Sequence, residues 1–268
     1  MDNRPIGVFD SGFGGLTVAR ALIDVLPSEQ IVYLGDTGRY PYGPRDPDEV
    51  RRFSHEIAEY LINIEQVKMV VVACNTAASA AMDGLRMSFD VPVLGVLEPG
   101  IRAATRVTRN RRIGVIGTSG TINSGAYERL AVRMRFSGEV FAVACPGFVE
   151  FVERGDLYSE EVHALAKRLL SPLCEKGIDT LLLGCTHYPF LARTIADVMG
   201  REVGLVSSAD ETAFDVRSVL EATGLWRHGH EGGGHRFLST GDLDWFVETG
   251  RRLLGPELDK AQGIVLGE

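Results

Sequence analysis

Two cysteines stand out as groups that could carry acid–base chemistry, because each one directly follows a run of apolar residues. The run at 181–184 (LLLG) leads into Cys185 and His187, and a similar run at 70–73 (VVVA) leads into Cys74. Short apolar runs of this kind predict strands that are buried on both faces of a parallel sheet. Ligands collect at the carboxyl ends of such strands, so we expect both thiols to lie in a functional site.

A thiol has an ordinary pKa near ~8.5, which lets it accept a proton in one direction and donate it in the other. Two thiols on opposite sides of one carbon atom are what a cofactor-independent racemase needs. His187 is placed to favour the Cys185 thiolate or to relay its proton, although it could also be a structural histidine at a helix start. Asp10 near Cys74 would raise the pKa of that thiol, so we expect Asp10 to act as a proton acceptor or hydrogen-bond partner.

The elements that position these groups follow a strand–loop–helix pattern that occurs twice. Strands are predicted at 6–9, 31–34, 70–73 and 91–96, and a matching set follows about 110 positions later at 113–117, 140–143, 181–184 and 203–206. This repeat predicts an α/β fold of two related lobes, each a small parallel sheet flanked by helices, with the active site in the cleft between them. Chance is the alternative, since every α/β chain repeats this pattern.

The end of the chain has a predicted strand at 236–240 and a predicted helix at 243–254. The second lobe has little room for them, so we expect this tail to complete the first lobe. The predicted lobes are therefore residues 1–97 plus 209–268, on the Cys74 side, and residues 98–208, on the Cys185 side.

Two loops at strand ends each allow two interpretations. The glycine-rich turn at 12–15 (GFGG) either makes a tight turn or lets backbone N–H groups hold an anion, and it matches neither common phosphate-loop pattern. The loop at 35–44 is rich in glycine and proline. It is either purely structural or a segment that covers a substrate.

Composition excludes several classes of protein. A net charge of −8 argues against nucleic-acid binding, and the basic residues Arg109, Arg111 and Arg112 are typical of a solvated loop. No apolar stretch is long enough to span a membrane, and a strand is predicted almost at once, so we expect neither a membrane helix nor a signal peptide. The four cysteines should then be free thiols.

No cofactor or metal is expected. There is no C-x-x-C redox pair, and no lysine follows a predicted strand, where a Schiff base to pyridoxal phosphate would be needed. The segment 226–235 holds half of the six histidines. A metal site there is the alternative to a surface turn, which the glycine content favours, because a flexible loop holds ligands poorly.

Together the motifs resemble those of the glutamate racemases, within the cofactor-independent aspartate/glutamate racemase superfamily. The resemblance covers nearly the whole chain and rests on GVFDSG at 7–12, Asp36-Thr37 with PYG at 41–43, CNT at 74–76, GVIGT at 114–118 and GCTHYP at 184–189. The PYG element separates glutamate racemases from relatives that act on aspartate, hydantoins or maleate. Gly38-Arg39-Tyr40 departs from many relatives, which bears on closure of the adjacent loop.

The resemblance implies interconversion of L- and D-glutamate without a cofactor, with Cys74 deprotonating D-glutamate and Cys185 deprotonating L-glutamate. Asp10 and His187 would assist them, and Glu153 matches a further acidic residue of the family. The implied substrate contacts are Asp10, Ser11, Tyr42, Gly43, Asn75, Thr76, Thr118, Thr186 and His187. The family supplies D-glutamate for bacterial peptidoglycan, and hence for the cell wall and cell shape, in the cytoplasm and usually as a homodimer.

Two other functions stay open at this stage. A sister isomerase, such as an aspartate racemase, would have the same thiols with a different side-chain pocket. A non-catalytic, two-lobed amino-acid-binding protein would have no use for two thiols in equivalent positions.

Overall fold

The computed structural model describes residues 2–227 and 234–267, and every strand pair within them is parallel. The strands are β1 (Ile6–Asp10), β2 (Ile31–Gly35), β3 (Met69–Val72), β4 (Val93–Gly95), β5 (Arg112–Gly117), β6 (Glu139–Ala144), β7 (Thr180–Gly184), β8 (Gly204–Ser207), β9 (Arg236–Ser239) and β10 (Gln262–Gly263). The sequence does not predict β10, because two residues carry no apolar pattern.

Helices occupy most of the connections between these strands. They are α1 (Leu16–Val25), α2 (Pro47–Asn63), α3 (Asn75–Ser88), α4 (Leu97–Val107), α5 (Ser119–Asn123), α6 (Ala126–Arg133), α7 (Phe148–Glu153), α8 (Glu160–Cys174), α9 (Ala192–Met199), α10 (Ala209–Thr223) and α11 (Leu243–Leu254), with a 3₁₀ turn at Tyr188–Leu191. The strand–helix alternation is that of a parallel α/β protein, as the sequence predicts.

The strands form two separate parallel sheets. The first has the order β10-β9-β2-β1-β3-β4 and the second has the order β6-β5-β7-β8. The predicted fold class, two α/β lobes with related sheets, is therefore confirmed. Strands β9 and β10 from the tail lie in the first sheet, which makes it larger than its counterpart. The lobe boundaries at residues 97/98 and 208/209 stay predictions.

The central strands are buried because helices pack on both faces of each sheet. All four residues of β3 are fully buried, and the apolar residues of β7 are buried as well. The chain crosses between the sheets through α4 and again between β8 and α10. These two crossings pack closely, since a Cβ atom on Gly100 would lie 3.0 Å from the Cβ atom of Ser208.

Parallel register places the chemically active residues at one edge of each sheet. In the first sheet Asp10 pairs with Gly35, and β3 ends beside them just before Cys74. In the second sheet Gly117 pairs with Gly184, the residue before Cys185. The carboxyl ends of the strands therefore carry both thiols.

A buried ion pair lies at the opposite end of the first sheet, where strands β2 and β3 begin. Lys68 and Glu29 are both fully buried, and Lys68 Nζ lies 2.6 Å from Glu29 Oε2. Lys68 also donates to the carbonyl oxygens of Asp2 and Leu225, at 2.9 and 2.8 Å. Because Glu29 accepts from the Arg227 N–H at 2.9 Å, the pair and its hydrogen bonds join four distant parts of the chain.

Replacing Lys68 with methionine is expected to lower the free energy of unfolding by about 3–5 kcal/mol, because it leaves the Glu29 carboxylate buried without its cation. The exposed pair between Arg217 and Glu221, at 3.0 Å, provides the control. Arg217→Met should cost at most about 1 kcal/mol. Thermal unfolding of both variants tests this, and equal shifts in Tm would contradict it.

Two further expectations concern membrane-spanning helices and the histidine-rich segment. Across residues 2–227 and 234–267, the structure contains no helix with the length and apolar character to cross a membrane. Most of the histidine-rich segment, residues 228–233, lies outside the described residues, so the predicted surface turn there is not addressed. His235, at its end, accepts a hydrogen bond from the Ile31 N–H through Nδ1 at 3.3 Å.

Candidate functional site

A cavity of about 130 Å³ opens where the carboxyl ends of the two sheets face each other. This volume is well below the roughly 300–1,000 Å³ of pockets that take drug-sized ligands, so the cavity suits a ligand smaller than a typical drug. Both thiols line it, one from each sheet. The other predicted site residues that line it are Ser11, Tyr42, Gly43, Asn75, Thr76, Thr118, Thr186 and His187.

Cys74 is the residue that caps the N-terminus of α3. Its sulfur accepts a hydrogen bond from the Ala77 N–H at 3.5 Å and lies 3.7 Å from Ser11 Oγ. Burial, followed by the charge of Asp10, raises the pKa of Cys74 to about 12, although both hydrogen bonds act against this. Cys74 is therefore a protonated thiol at neutral pH, ready to donate a proton.

Cys185 stands between β7 and the 3₁₀ turn, and its sulfur lies 3.9 Å from His187 Nδ1. Burial by itself would lower the pKa of His187, but the contacts with Cys185 and Glu153 and the charge of Asp10 outweigh it and raise the pKa to about 10. His187 is therefore an imidazolium at neutral pH. A positive charge beside a thiol is the kind of environment in which reactive cysteines are found.

Glu153 lies behind His187, with 3.5 Å between Glu153 Oε1 and His187 Nε2. This separation is an ion-pair contact rather than a well-formed hydrogen bond, since neither atom has a hydrogen-bond partner within the described residues. Glu153 is at the end of α7, so it reaches His187 from another element of the same lobe. It supports the charge of His187 without lining the cavity.

Asp10 is buried beside the cavity rather than in its wall. Its carboxylate accepts hydrogen bonds from the Gly12 N–H at 2.8 Å and from the Thr186 hydroxyl at 3.3 Å. Burial raises the pKa of Asp10, although His187 and these hydrogen bonds oppose the shift. Because Thr186 belongs to the second lobe, Asp10 links the environments of the two thiols.

Hydroxyl groups join the two lobes on the other side of the cavity. Thr76 Oγ1 lies 2.9 Å from Thr118 Oγ1, and each of them contacts Thr121 Oγ1, at 3.3 and 3.0 Å. Asn75 donates to the Tyr127 hydroxyl at 2.8 Å, while its Oδ1 atom is buried without a partner in the described structure. Neutral donors and acceptors therefore dominate this wall.

The structure adds cavity-lining residues beyond the predicted site residues. They come from a stretch after β6 and from positions within or beside the predicted motifs: Cys145, Pro146, Gly147, Val149, Glu150, Tyr40, Pro41, Pro44, Ser119 and Tyr188. Cys145 could have been found, because it also follows a strand at its carboxyl end. The 35–44 loop is less exposed than its composition suggests, since Tyr42 is only 1% exposed.

Cys145 is unsuitable as a reference thiol for experiments that label Cys74 and Cys185. It is buried in the cavity wall, and burial together with the nearby Cys185 raises its pKa to about 12. A ligand that fills the cavity should therefore shield Cys145 as well as the other two thiols. Cys174 is exposed and lies outside the cavity, so it is the proper reference.

Near pH 7, iodoacetamide is expected to modify Cys185 faster than Cys74, because only the thiolate reacts and the raised pKa of Cys74 keeps its thiolate scarce at this pH. The rate at Cys74 should rise steadily between about pH 8 and about pH 11, below its raised pKa. His187→Gln should slow Cys185 and leave exposed Cys174 unchanged. Mass spectrometry of labelled peptides gives each rate, and a faster Cys74 at neutral pH would contradict the raised pKa of Cys74.

The charge balance of the cavity limits what it can bind. Among the described lining residues there is no arginine or lysine, and His187 supplies the positive charge. Helix α3 begins at Asn75, which lines the same cavity, and the N-terminus of a helix favours an anion such as a carboxylate. Within the described residues, no group of three or more His, Cys, Asp or Glu side chains could hold a metal ion.

Comparisons with known proteins agree with this arrangement. Residues 15–213 match the family model described as Asp/Glu/Hydantoin racemase. A glutamate racemase from Acidothermus cellulolyticus is 50% identical over 259 residues, which is 96% of this chain and 98% of that protein. The crystal structure of a Bacillus anthracis glutamate racemase has a TM-score of 0.94 at 41% identity, covering 99% of this chain and 98% of that one.

A glutamate racemase from Francisella tularensis, solved in complex with D-glutamate, has a TM-score of 0.92 at 33% identity, with 99% of this chain and 98% of that chain covered. The family match covers most of the chain, including Cys74 and Cys185. The chain therefore belongs to the Asp/Glu/Hydantoin racemase family.

Proposed function

We propose that this protein is a glutamate racemase, which interconverts L- and D-glutamate by removing the α-proton on one face and returning a proton on the other. The observation that carries the proposal is the pair of buried thiols, Cys74 and Cys185, that line one small cavity from separate sheets. The names of the similar proteins, glutamate racemases at up to 50% identity over nearly the whole chain, support glutamate as the substrate.

The raised pKa of Cys74 favours a definite order of events for L-glutamate. Cys185, assisted by His187, removes the α-proton, and the Cys74 thiol donates its proton to the opposite face of the carbanion. The high pKa of Cys74 ensures that it carries this proton in the free enzyme. After one turnover Cys185 is protonated and Cys74 is a thiolate, which is the arrangement needed for D-glutamate.

Asp10 assists Cys74 as a proton acceptor rather than as an electrostatic activator. A carboxylate close to a thiol disfavours the thiolate, so Asp10 raises the pKa of Cys74 and cannot stabilise its charged form. The ammonium group of the substrate would offset this effect, because its positive charge enters a cavity bordered by Asp10. We therefore infer that Cys74 becomes a competent base only with D-glutamate bound.

The polar groups of the cavity fit an amino acid with two carboxylates. Ser11, Thr76, Thr118 and Thr186 supply hydroxyls, Asn75 supplies an amide, and the helix N-terminus at Asn75 supplies backbone donors. Gly43 lets the loop after β2 approach Thr118 closely, since a Cβ atom on Gly43 would lie 3.0 Å from the Thr118 Cβ atom. Tyr42 completes that wall. No residue here needs to form a covalent bond with the substrate.

The wider role follows from the family resemblance. We propose that the enzyme supplies D-glutamate for bacterial peptidoglycan, and that it works in the cytoplasm as a homodimer. We also retain the two lobes, residues 1–97 plus 209–268 and residues 98–208, as the units that carry one thiol each.

The test is to incubate the purified protein with L-glutamate in deuterium oxide, with a chelator and without any added cofactor. Circular dichroism should fall to zero as the racemic mixture forms, and deuterium should appear at the α-carbon. L-Aspartate is measured in parallel. Faster turnover of aspartate would favour the sister isomerase, and binding of glutamate without exchange at the α-carbon would favour a binding protein.

A further inference from the structure

The substrate loop, residues 36–44, is held in place by a residue about 200 positions away in the sequence. We propose that Thr240 is a positioning residue for the racemase, because its hydroxyl fastens the start of this loop so that Tyr42 and Gly43 close the cavity. Thr240 does not line the cavity, so it acts only through the loop. The inference rests on the proposed function for its effect on turnover, but not for its effect on the loop.

The Thr240 hydroxyl makes two hydrogen bonds to the first part of the loop. It donates to Asp36 Oδ1 at 2.7 Å and accepts from the Gly38 N–H at 2.9 Å. A single hydroxyl thereby satisfies a buried carboxylate oxygen and a backbone donor. Threonine and serine can make both bonds, whereas valine, which has the same shape, can make neither.

Asp36 transmits this constraint to the cavity. Its side chain is fully buried, and its second oxygen accepts from Arg39 Nε at 2.7 Å and from the Tyr42 hydroxyl. Tyr42 is buried in the cavity wall, where its ring packs 5.7 Å from that of Phe53. One carboxylate therefore connects Thr240 to a residue that faces the substrate.

The tail and the start of the loop pack closely, which restricts movement of the loop relative to Thr240. The Ser239 and Thr37 hydroxyls lie 2.6 Å apart, and the Gly241 N–H donates to Thr37 Oγ1 at 3.1 Å. A Cβ atom on Gly38 would lie 2.8 Å from the Thr240 carbonyl oxygen, so only glycine fits there without a shift. The tail of the first lobe thus fixes the start of the loop at three successive positions.

Thr240→Val should loosen the loop and leave the thiols untouched. The change removes partners from Asp36 Oδ1 and the Gly38 N–H, so the closed loop loses about one or two hydrogen bonds. The apparent affinity for substrate is the intrinsic affinity multiplied by the fraction of molecules whose loop is closed, so it falls when this fraction falls. Saturating substrate restores the closed loop. We expect KM for glutamate to rise about threefold to thirtyfold while kcat stays within about twofold.

The experiment compares Thr240→Val with Thr240→Ser, which keeps the hydroxyl and should restore the wild-type KM. Thr223→Val is the matched control, because Thr223 is exposed and its hydroxyl donates only to its own helix, at Val219 O. Thr240→Ala replaces the valine variant if that variant does not fold. A fall in kcat with an unchanged KM, or no effect in a variant that lacks the hydroxyl, would overturn the proposal.

Hydrogen–deuterium exchange of the ligand-free protein provides a readout that does not depend on the substrate. Peptides that cover residues 36–44 should exchange faster in Thr240→Val than in the wild-type protein, and Thr240→Ser should match the wild type. Unchanged exchange in the valine variant would overturn the role of Thr240 even if glutamate is racemised. Absence of racemisation in the wild-type protein would instead contradict the proposed function.

Discussion

Replacing either Cys74 or Cys185 with alanine is expected to reduce racemisation of glutamate by at least about 10²-fold, in both directions. Each substitution leaves one face of the α-carbon without its proton donor or acceptor, and a positioned acid–base group contributes roughly 10²–10⁴-fold to a rate. Both variants should fold, since each change removes one sulfur atom from a side chain beside an existing cavity. The measurement is turnover by circular dichroism, with thermal unfolding as the check on folding.

Cys174→Ala is the control for this prediction, because Cys174 is an exposed thiol outside the cavity and its loss should leave turnover unchanged. Cys145→Ala tests a second point, since Cys145 is in the cavity wall without a helper such as Asp10 or His187. We expect it to keep most of its activity. A well-folded Cys185→Ala enzyme with more than about a tenth of wild-type turnover would falsify the two-thiol mechanism.

Much of the fold could be predicted because the relevant signals are local. Continuous apolar runs such as those before Cys74 and Cys185 are typical of strands buried on both faces, and parallel sheets gather ligands at their carboxyl edges. These two rules alone bring the thiols to strand ends. Their repetition about 110 positions apart predicts two related lobes, and both sheets are present.

The rest could not be predicted because it depends on how distant segments pack. Nothing in the sequence near Thr240 indicates that it fastens a loop near the start of the chain. The low exposure of Tyr42 likewise results from Asp36 and Phe53, which hold it inward. Cys145 also follows a strand, so its place at a strand end could have been predicted. In the sequence, however, it lacks the hydrogen-bonding neighbours that follow Cys74 and Cys185.

The glycine-rich turn after β1 illustrates the same limit, because local pattern left its role open between a tight turn and an anion site. In the structure the turn packs against the second lobe at Thr186 and His187. A Cβ atom on Gly14 would overlap Thr186 Oγ1 and would lie 2.5 Å from His187 Nδ1. The absence of a side chain at Gly14 is therefore what lets the turn of the first lobe pack against Thr186 and His187 of the second lobe.

Gly14→Ala is accordingly expected to lower kcat/KM by about 10²-fold or more, because a displacement of about 1 Å in a catalytic group can cost that much. The added methyl group must push the His187 ring away from Cys185, so labelling of Cys185 near pH 7 should slow as well. Overpacking should cost about 1–3 kcal/mol of stability, and Tm measures it.

Gly84→Ala is the matched control for this substitution. A Cβ atom on Gly84, in α3, meets nothing within 4 Å, so the same change there should leave turnover intact and stabilise the helix by up to about 1 kcal/mol. A Gly14→Ala enzyme with turnover within about threefold of wild type would show that His187 tolerates displacement. If Cys185 were labelled slowly but turnover were normal, catalysis would not depend on the charge of His187. Another group would then activate Cys185 during turnover.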